Sequence, residues 1–243
     1  MSSVVISPKL TSPAQPVFER LMHKRTLKLD TTFSRHFLIS ELHLTYAVIK
    51  ETNPMSDDSG QSQFNGQFLV SMPDLKDGVF GSSLVLTCEH GETGAMGFIV
   101  NKPTEFSVQE IFEQLGLDAA SDLDPSIPVM NGGPVEPQRG FLLSNHPITD
   151  DVVEVLEGLF LASSPDVLPL AVDALNQGDA IFILGYSGWS EGQLESEMAA
   201  NSWIHVPWDA DVIFQIPTAD RQRAALAQLG IDPIQLLQGA GHA

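Results

Sequence analysis

The stretch Ser82 to Lys102, SSLVLTCEHGETGAMGFIVNK, limits the fold more than any other part of the chain. Two apolar runs of strand length are separated only by Gly91-Glu92-Thr93-Gly94. A parallel crossover needs a dozen or more residues, so these runs can only pair antiparallel through a tight turn. Gly91 or Gly94 supplies the positive φ such a turn requires. Gly97, inside the second run, marks a bulge or the close approach of another group. The glycines do not spell a phosphate loop. There is no Gly-Lys-Ser/Thr opening a helix and no G-x-G-x-x-G between strand and helix.

Other elements fit around this hairpin. FLVSM, ended by Pro73, reads as a strand, and FSVQEIFEQLG reads as a helix. Ser107 caps that helix, Glu110 closes a capping box and Gly116 ends it. Val108, Ile111, Phe112 and Leu115 mark its buried face. IPVM and RGFLLS read as strands around the loop NGGPVEPQ. SSPDVLPLAVDALNQG reads as one helix capped by Ser164 with Pro165 in its first turn. DAIFILGYSGW reads as a buried strand running into a sharp turn at GYSGW. A helix with a Ser190–Gln193 capping box follows, and a last one is bounded by Thr218 and Gly230. Strands this close together, mixed with helices, predict an α+β fold with antiparallel pairing.

Charge divides the chain. Residues 1–54 hold seven Lys and Arg against four acids, a net of +3. The other 189 residues hold five bases and 27 acids, a net of −22. The first 59 residues read as a basic extension, disordered or spurious; on the second reading the chain starts at Met55, where the charge breaks, and residues 1–54 lie upstream of it. Residues 60–243 read as one domain. Five scattered bases cannot neutralise the roughly 6–10 phosphates of a strong nucleic-acid binder, so nucleic acid is not the expected partner of this domain. No apolar run approaches the roughly 18 residues of a membrane span. The single Cys88 fits a reducing compartment, and the cytoplasm is the expected location.

The chemistry-bearing motifs each have a structural reading. In a regular strand Cys88 and His90 share a face, with Glu89 opposite. Two ligands fall short of the three or four a zinc site needs, so neither metal nor cofactor is expected. GYSGW departs from the G-x-S-x-G elbow at Trp189, which argues against Ser187 as a nucleophile. Asn131, Gly132 and Gly133 can line up backbone N–H groups as an anion-friendly concavity, with Arg139 close behind. Arg139 is expected to pair with a Glu in preference to holding an anion.

Taken together, FLVSMPDL, CEHGETGAMGFIVNKP, NGGPVEPQRGFLL, GYSGWSEGQLESEMAANSW and LGIDPIQLLQGAGHA resemble the AlgH/YqgE family of bacterial proteins. The resemblance covers about residues 64–243. It implies a compact single α+β domain, its mostly antiparallel sheets folded into a barrel-like core with flanking helices. It implies a regulator without catalytic residues, working through a protein partner or a small ligand. It also marks a pocket rim: Glu89, His90 and Asn101; Asn131, Gly132, Gly133 and Arg139; Tyr186, Gly188, Trp189 and Gln193. The alternative is an enzyme using Glu89 and His90 as an acid–base pair.

Overall fold

The computed structural model describes residues 63–75, 78–150 and 152–232. The basic extension 1–59, Met55 and residues 233–243 lie outside the described residues.

Ten strands form one curled, mostly antiparallel sheet in a single α+β domain. They are β1 (Gln67–Ser71), β2 (Leu84–Gly91), β3 (Gly94–Ile99), β4 (Pro103–Ser107) and β5 (Pro128–Asn131), then β6 (Val135–Ser144), β7 (Val153–Leu156), β8 (Leu159–Ala162), β9 (Ala180–Ser190) and β10 (Trp203–Pro207). The main order is β10-β1-β2-β3-β9-β6-β8-β7. β4 pairs with β5, and β5 runs parallel to β9. The helices are α1 (Val108–Leu115), α2 (Val172–Gln177), α3 (Gln193–Ala199), α4 (Ala210–Phe214) and α5 (Arg221–Gln228).

Strand alternation explains why the sheet is covered on both sides. Leu84, Leu86, Phe98, Phe141, Leu143 and Ile183 share the concave core, which Ile213 of α4 and Leu226 of α5 also enter. The intervening residues point outward. Val85 and Ile99 pack with Leu194 of α3, Trp189 and Trp203. Leu142 and Phe182 pack with Phe112 of α1 and Leu175 of α2.

The hairpin forms as expected: Gly91 faces Gly94 across Glu92-Thr93, and Gly94 has φ +127°. The capping box of α1 also forms, with Gly116 left-handed behind it. Other expectations need correction. Leu115 is 41% exposed, so the buried face of α1 ends a turn early. The stretch 164–177 is broken into a 3-10 segment, Pro165–Leu170, and α2, because Pro169 offers no N–H to continue the ladder. The loop after β5 is only Gly132–Pro134, since β6 already starts at Val135. GYSGW does not end the strand; β9 continues through it to Ser190, with Gly185 left-handed. Only one half of the Ser190–Gln193 box exists, with Gln193 accepting from the Ser190 N–H. Thr218 makes no capping bond. β4, β7, β8, β10 and α4 were not legible as periodic segments.

Gly97 sits where main chains nearly touch. A Cβ there would collide with the carbonyl of Leu86 and lie 3.1 Å from the Cα of Thr87. Nothing lies within 4 Å of the same atom on Gly91. Gly97→Ala should therefore cost about 1–3 kcal/mol in urea unfolding. Gly91→Ala should stay within about 0.5 kcal/mol of wild type.

Candidate ligand-binding site

One irregularity of β2 decides which chemistry-bearing residues face inward. Thr87 pairs with Gly97 and Glu89 with Met96, so Cys88 is an extra residue in the ladder. Cys88 stays in the concave core beside Leu86. Glu89 then falls on the same face, opposite Met96, which packs on that core. His90 pairs with Ala95 on the outer face. This corrects the expectation that Cys88 and His90 share a face with Glu89 opposite. Burial, and secondarily the Glu89 charge, pushes the Cys88 thiol up to about 12, which makes it a core residue and a poor ligand. His90 lies edge-on to Phe64 at 5.1 Å, and its Nε2 is 2.8 Å from Glu195 Oε1. Its buried Nδ1 has no partner. Among the described residues no group of three or more His, Cys, Asp or Glu is placed to hold a metal.

The Asn131-Gly132-Gly133 turn cannot serve as an anion cradle, because its N–H groups are already used. Asn131 N donates to Lys102 O at 2.8 Å, Gly132 N to Leu184 O at 2.8 Å, and Gly133 N to Asn131 Oδ1 at 3.1 Å. Ser187 is fully buried, and its hydroxyl donates to Gly132 O at 3.0 Å. Asn101 accepts from Leu84 N at 2.7 Å and donates to Ser82 O at 3.0 Å. Both ends of its amide thus tie down the approach to β2. Gln193 donates to Glu197 at 2.9 Å on the outer face. Trp189 and Trp203 both donate their indole N–H to one oxygen of Glu197, at 2.9 and 2.8 Å. Trp189 therefore holds α3 against the sheet, and its removal would open the outer core.

A hollow of about 230 Å³ lies at one end of the concave face. Successive strands supply its lining: Glu89, Met96, Tyr186, Phe141 and Leu161 from β2, β3, β9, β6 and β8, with Thr93 and Ser163 also at its edge. Arg139 and Trp189 line it too. The Arg139 guanidinium carbon is 5.2 Å from the Phe141 ring centroid, within cation–π range. Its Nη1 bonds Glu136 at 2.9 Å, as the structural pairing reading expected. Its Nε is buried without a partner. The half-buried Glu89 carboxyl forms no hydrogen bond or ion pair among the described residues, and desolvation raises its pKa. Tyr186 is half-buried, and its phenol is likewise shifted up, first by desolvation and then by Glu136.

Of the eleven rim residues, the hollow brings together Glu89, Arg139, Tyr186 and Trp189. His90, Asn101, Asn131, Gly132, Gly133, Gly188 and Gln193 do not line it. Met96, Phe141 and Leu161 were missed, although their inward phase follows once the register is known. A second hollow, of about 400 Å³, is lined by Ile216, Pro217, Ala224 and Ala227 with Asp220 and Arg223. Those two charges pair with each other at 2.8 Å, and the other lining side chains are apolar.

The model of the AlgH-like family, DUF179, matches residues 68–234. The chain belongs to that family. A UPF0301 protein of Bordetella petrii is 42% identical over 77% of this chain and 94% of its own length. One from Xanthomonas campestris is 38% identical over 73% and 95%. The solution structure of the AlgH protein from Pseudomonas aeruginosa superposes with a TM-score of 0.60 at 34% identity, covering 78% of this chain and all of that one. A crystal structure from Corynebacterium diphtheriae, 18% identical with a TM-score of 0.54, shares the fold. None of these names carries an activity, so an AlgH-like chain must be read from its own geometry.

Two predictions follow from the charges. Glu197→Ala should cost roughly 2–4 kcal/mol in urea unfolding, since two buried indoles lose their acceptor. Glu197→Gln, which keeps an oxygen, should cost less. Glu89 holds its proton more tightly when folded than at its ordinary value of 4.5. The stability it contributes is present at low pH and is lost as pH rises through the folded value. Thermal melts across pH should show Glu89→Gln gaining on wild type above that window.

Proposed function

We propose that this chain is a non-enzymatic regulator that works by holding a small ligand in the mouth of its half-barrel. One observation carries the reading: the Arg139 guanidinium and the Glu89 carboxyl line one hollow without pairing with each other, beside the apolar side chains of Met96, Phe141 and Leu161. Apolar walls with a few converging polar groups are how ligand sites are built, and barrel mouths are a common place for them. The acid–base alternative fits less well. Glu89 faces the hollow while His90, next in the strand, faces α3 and is tied to Glu195.

Direct nucleic-acid recognition is not favoured either. Lys102 donates to Val79 O, Arg139 to Glu136 and Arg223 to Asp220, while Arg221 is buried against the carbonyls of Ile216 and Val100. These bases form no free basic surface of the kind phosphate contacts need. On this reading regulation runs through the ligand, in the cytoplasm, where Cys88 stays a thiol.

The test is small-molecule capture. The full chain is incubated with the low-molecular-weight fraction of a cell extract, washed, denatured and analysed by mass. A compound retained by wild type and lost from Arg139→Ala, with an unchanged circular dichroism spectrum, is the expected result. Equal retention by both proteins, or none by either, overturns the proposal.

A further inference from the structure

Resting on the ligand-mouth reading, we propose that the occupant is a free amino acid with an apolar side chain. Its ammonium sits on Glu89 and its carboxylate on the Arg139 guanidinium.

The argument starts from what each group still lacks. Glu136 takes Nη1 of Arg139 at 2.9 Å, and the guanidinium lies over Phe141. The Nε–H is buried and donates to nothing among the described residues. A carboxylate is the acceptor that suits the remaining edge of a guanidinium. Glu89 lines the same hollow and has no ion-pair partner among the described residues, Arg139 included. A ligand carrying only a negative charge would meet Arg139 but leave Glu89 facing a like charge. One carrying only an amine would leave the Nε–H unpaired. A zwitterion satisfies both.

Charge and size narrow the class further. Among the described residues Arg139 is the only base lining the hollow; Glu89 lines it too, and Glu136 pairs with Arg139 from outside the lining. A phosphate, with more than one negative charge, would meet the Glu89 carboxylate and a single cation already shared with Glu136. The volume of about 230 Å³ falls below the roughly 300–1,000 Å³ of pockets for drug-sized ligands, and so below a nucleotide's need. Met96, Phe141 and Leu161, without hydrogen-bonding groups, and the rings of Tyr186 and Trp189 suit an aliphatic or aromatic side chain, while Thr93 and Ser163 add hydroxyls to the lining. The N-terminus of a peptide would offer the ammonium but not the adjacent carboxylate, which gives the test its second arm.

The full chain, labelled with nitrogen-15, is titrated with L-leucine and L-phenylalanine, and in parallel with N-acetyl-L-leucine and L-leucinamide. The resonance followed is Arg139 Nε–H. The free amino acids should shift it saturably, and each capped analogue should bind at least about tenfold more weakly, a difference of about 1.4 kcal/mol. Glu89→Gln should abolish the preference for leucine over its N-acetyl form. Leucinamide binding as well as leucine points to a peptide end and overturns the free amino acid. Both capped forms binding as well as leucine overturn the zwitterion but leave a ligand mouth in place. No shift from any of the four at about 10 mM, well beyond a useful affinity, overturns this assignment. In that case the extract capture decides separately whether the mouth binds anything else.

Discussion

The crossing of the β5 end over β9 is the contact on which the rest of the structure depends. β9 is 11 residues long and pairs with β3, β5 and β6 at different points along its length. It thereby joins the β10-β1-β2-β3 half of the sheet to the β6-β8-β7 half. At the join, Gly132 O accepts from both Ile99 N and Ser187 Oγ, while Gly132 N donates to Leu184 O. Gly185 has φ +72°, and a Cβ on it would lie 2.6 Å from Gly133 O and 3.1 Å from the Cα of Pro137. Three main chains meet there with no room for a Cβ on Gly132, Gly133 or Gly185. The buried Ser187 hydroxyl closes the bond network, which is the physical use of a serine that could pass for a nucleophile in a sequence pattern.

Local signals were legible where local physics decides. The hairpin at Gly91–Gly94 and the capping box from Ser107 to Glu110 follow from turn and cap chemistry within a few residues. The NGG and GYSGW motifs were visible too, but their meaning was not. Each looked like an exposed turn because its glycines are turn residues in isolation. Gly132, Gly133 and Gly185 are glycines because the two motifs press against each other, a contact between positions about 55 apart in the chain. Periodicity also hid β7 and β8, which are four residues each and too short to show alternation.

The candidate site was half legible for a related reason. Its polar members, Glu89, Arg139 and Tyr186, stand out in the sequence as charged or aromatic residues beside glycine-rich motifs. Its apolar floor does not, because Met96, Phe141 and Leu161 look like any other core residues. The face that Glu89 occupies was misassigned relative to Cys88, since strict alternation assumes no extra residue. A bulge at Cys88 leaves no mark in the sequence beyond a small side chain in an apolar run.

Two ladder irregularities converge on this end of the sheet. The extra residue at Cys88 brings Glu89 onto the concave face. On β6 the register slips between Val135 and Gly140, so Glu136 to Arg139 bow outward around Gly185. Glu136 adopts φ +44°, a left-handed conformation unusual for a side chain of its size, and from there it grips Arg139. Such backbone strain is more often kept at sites with a function than in plain scaffold. Regular strands would have stabilised the sheet more simply. What the two departures achieve instead is to aim one carboxylate and one guanidinium into a single hollow without letting them pair. A purely structural ion pair would have closed that gap. Its remaining open is the feature of this fold that an amine and a carboxylate held together in one small molecule would complete.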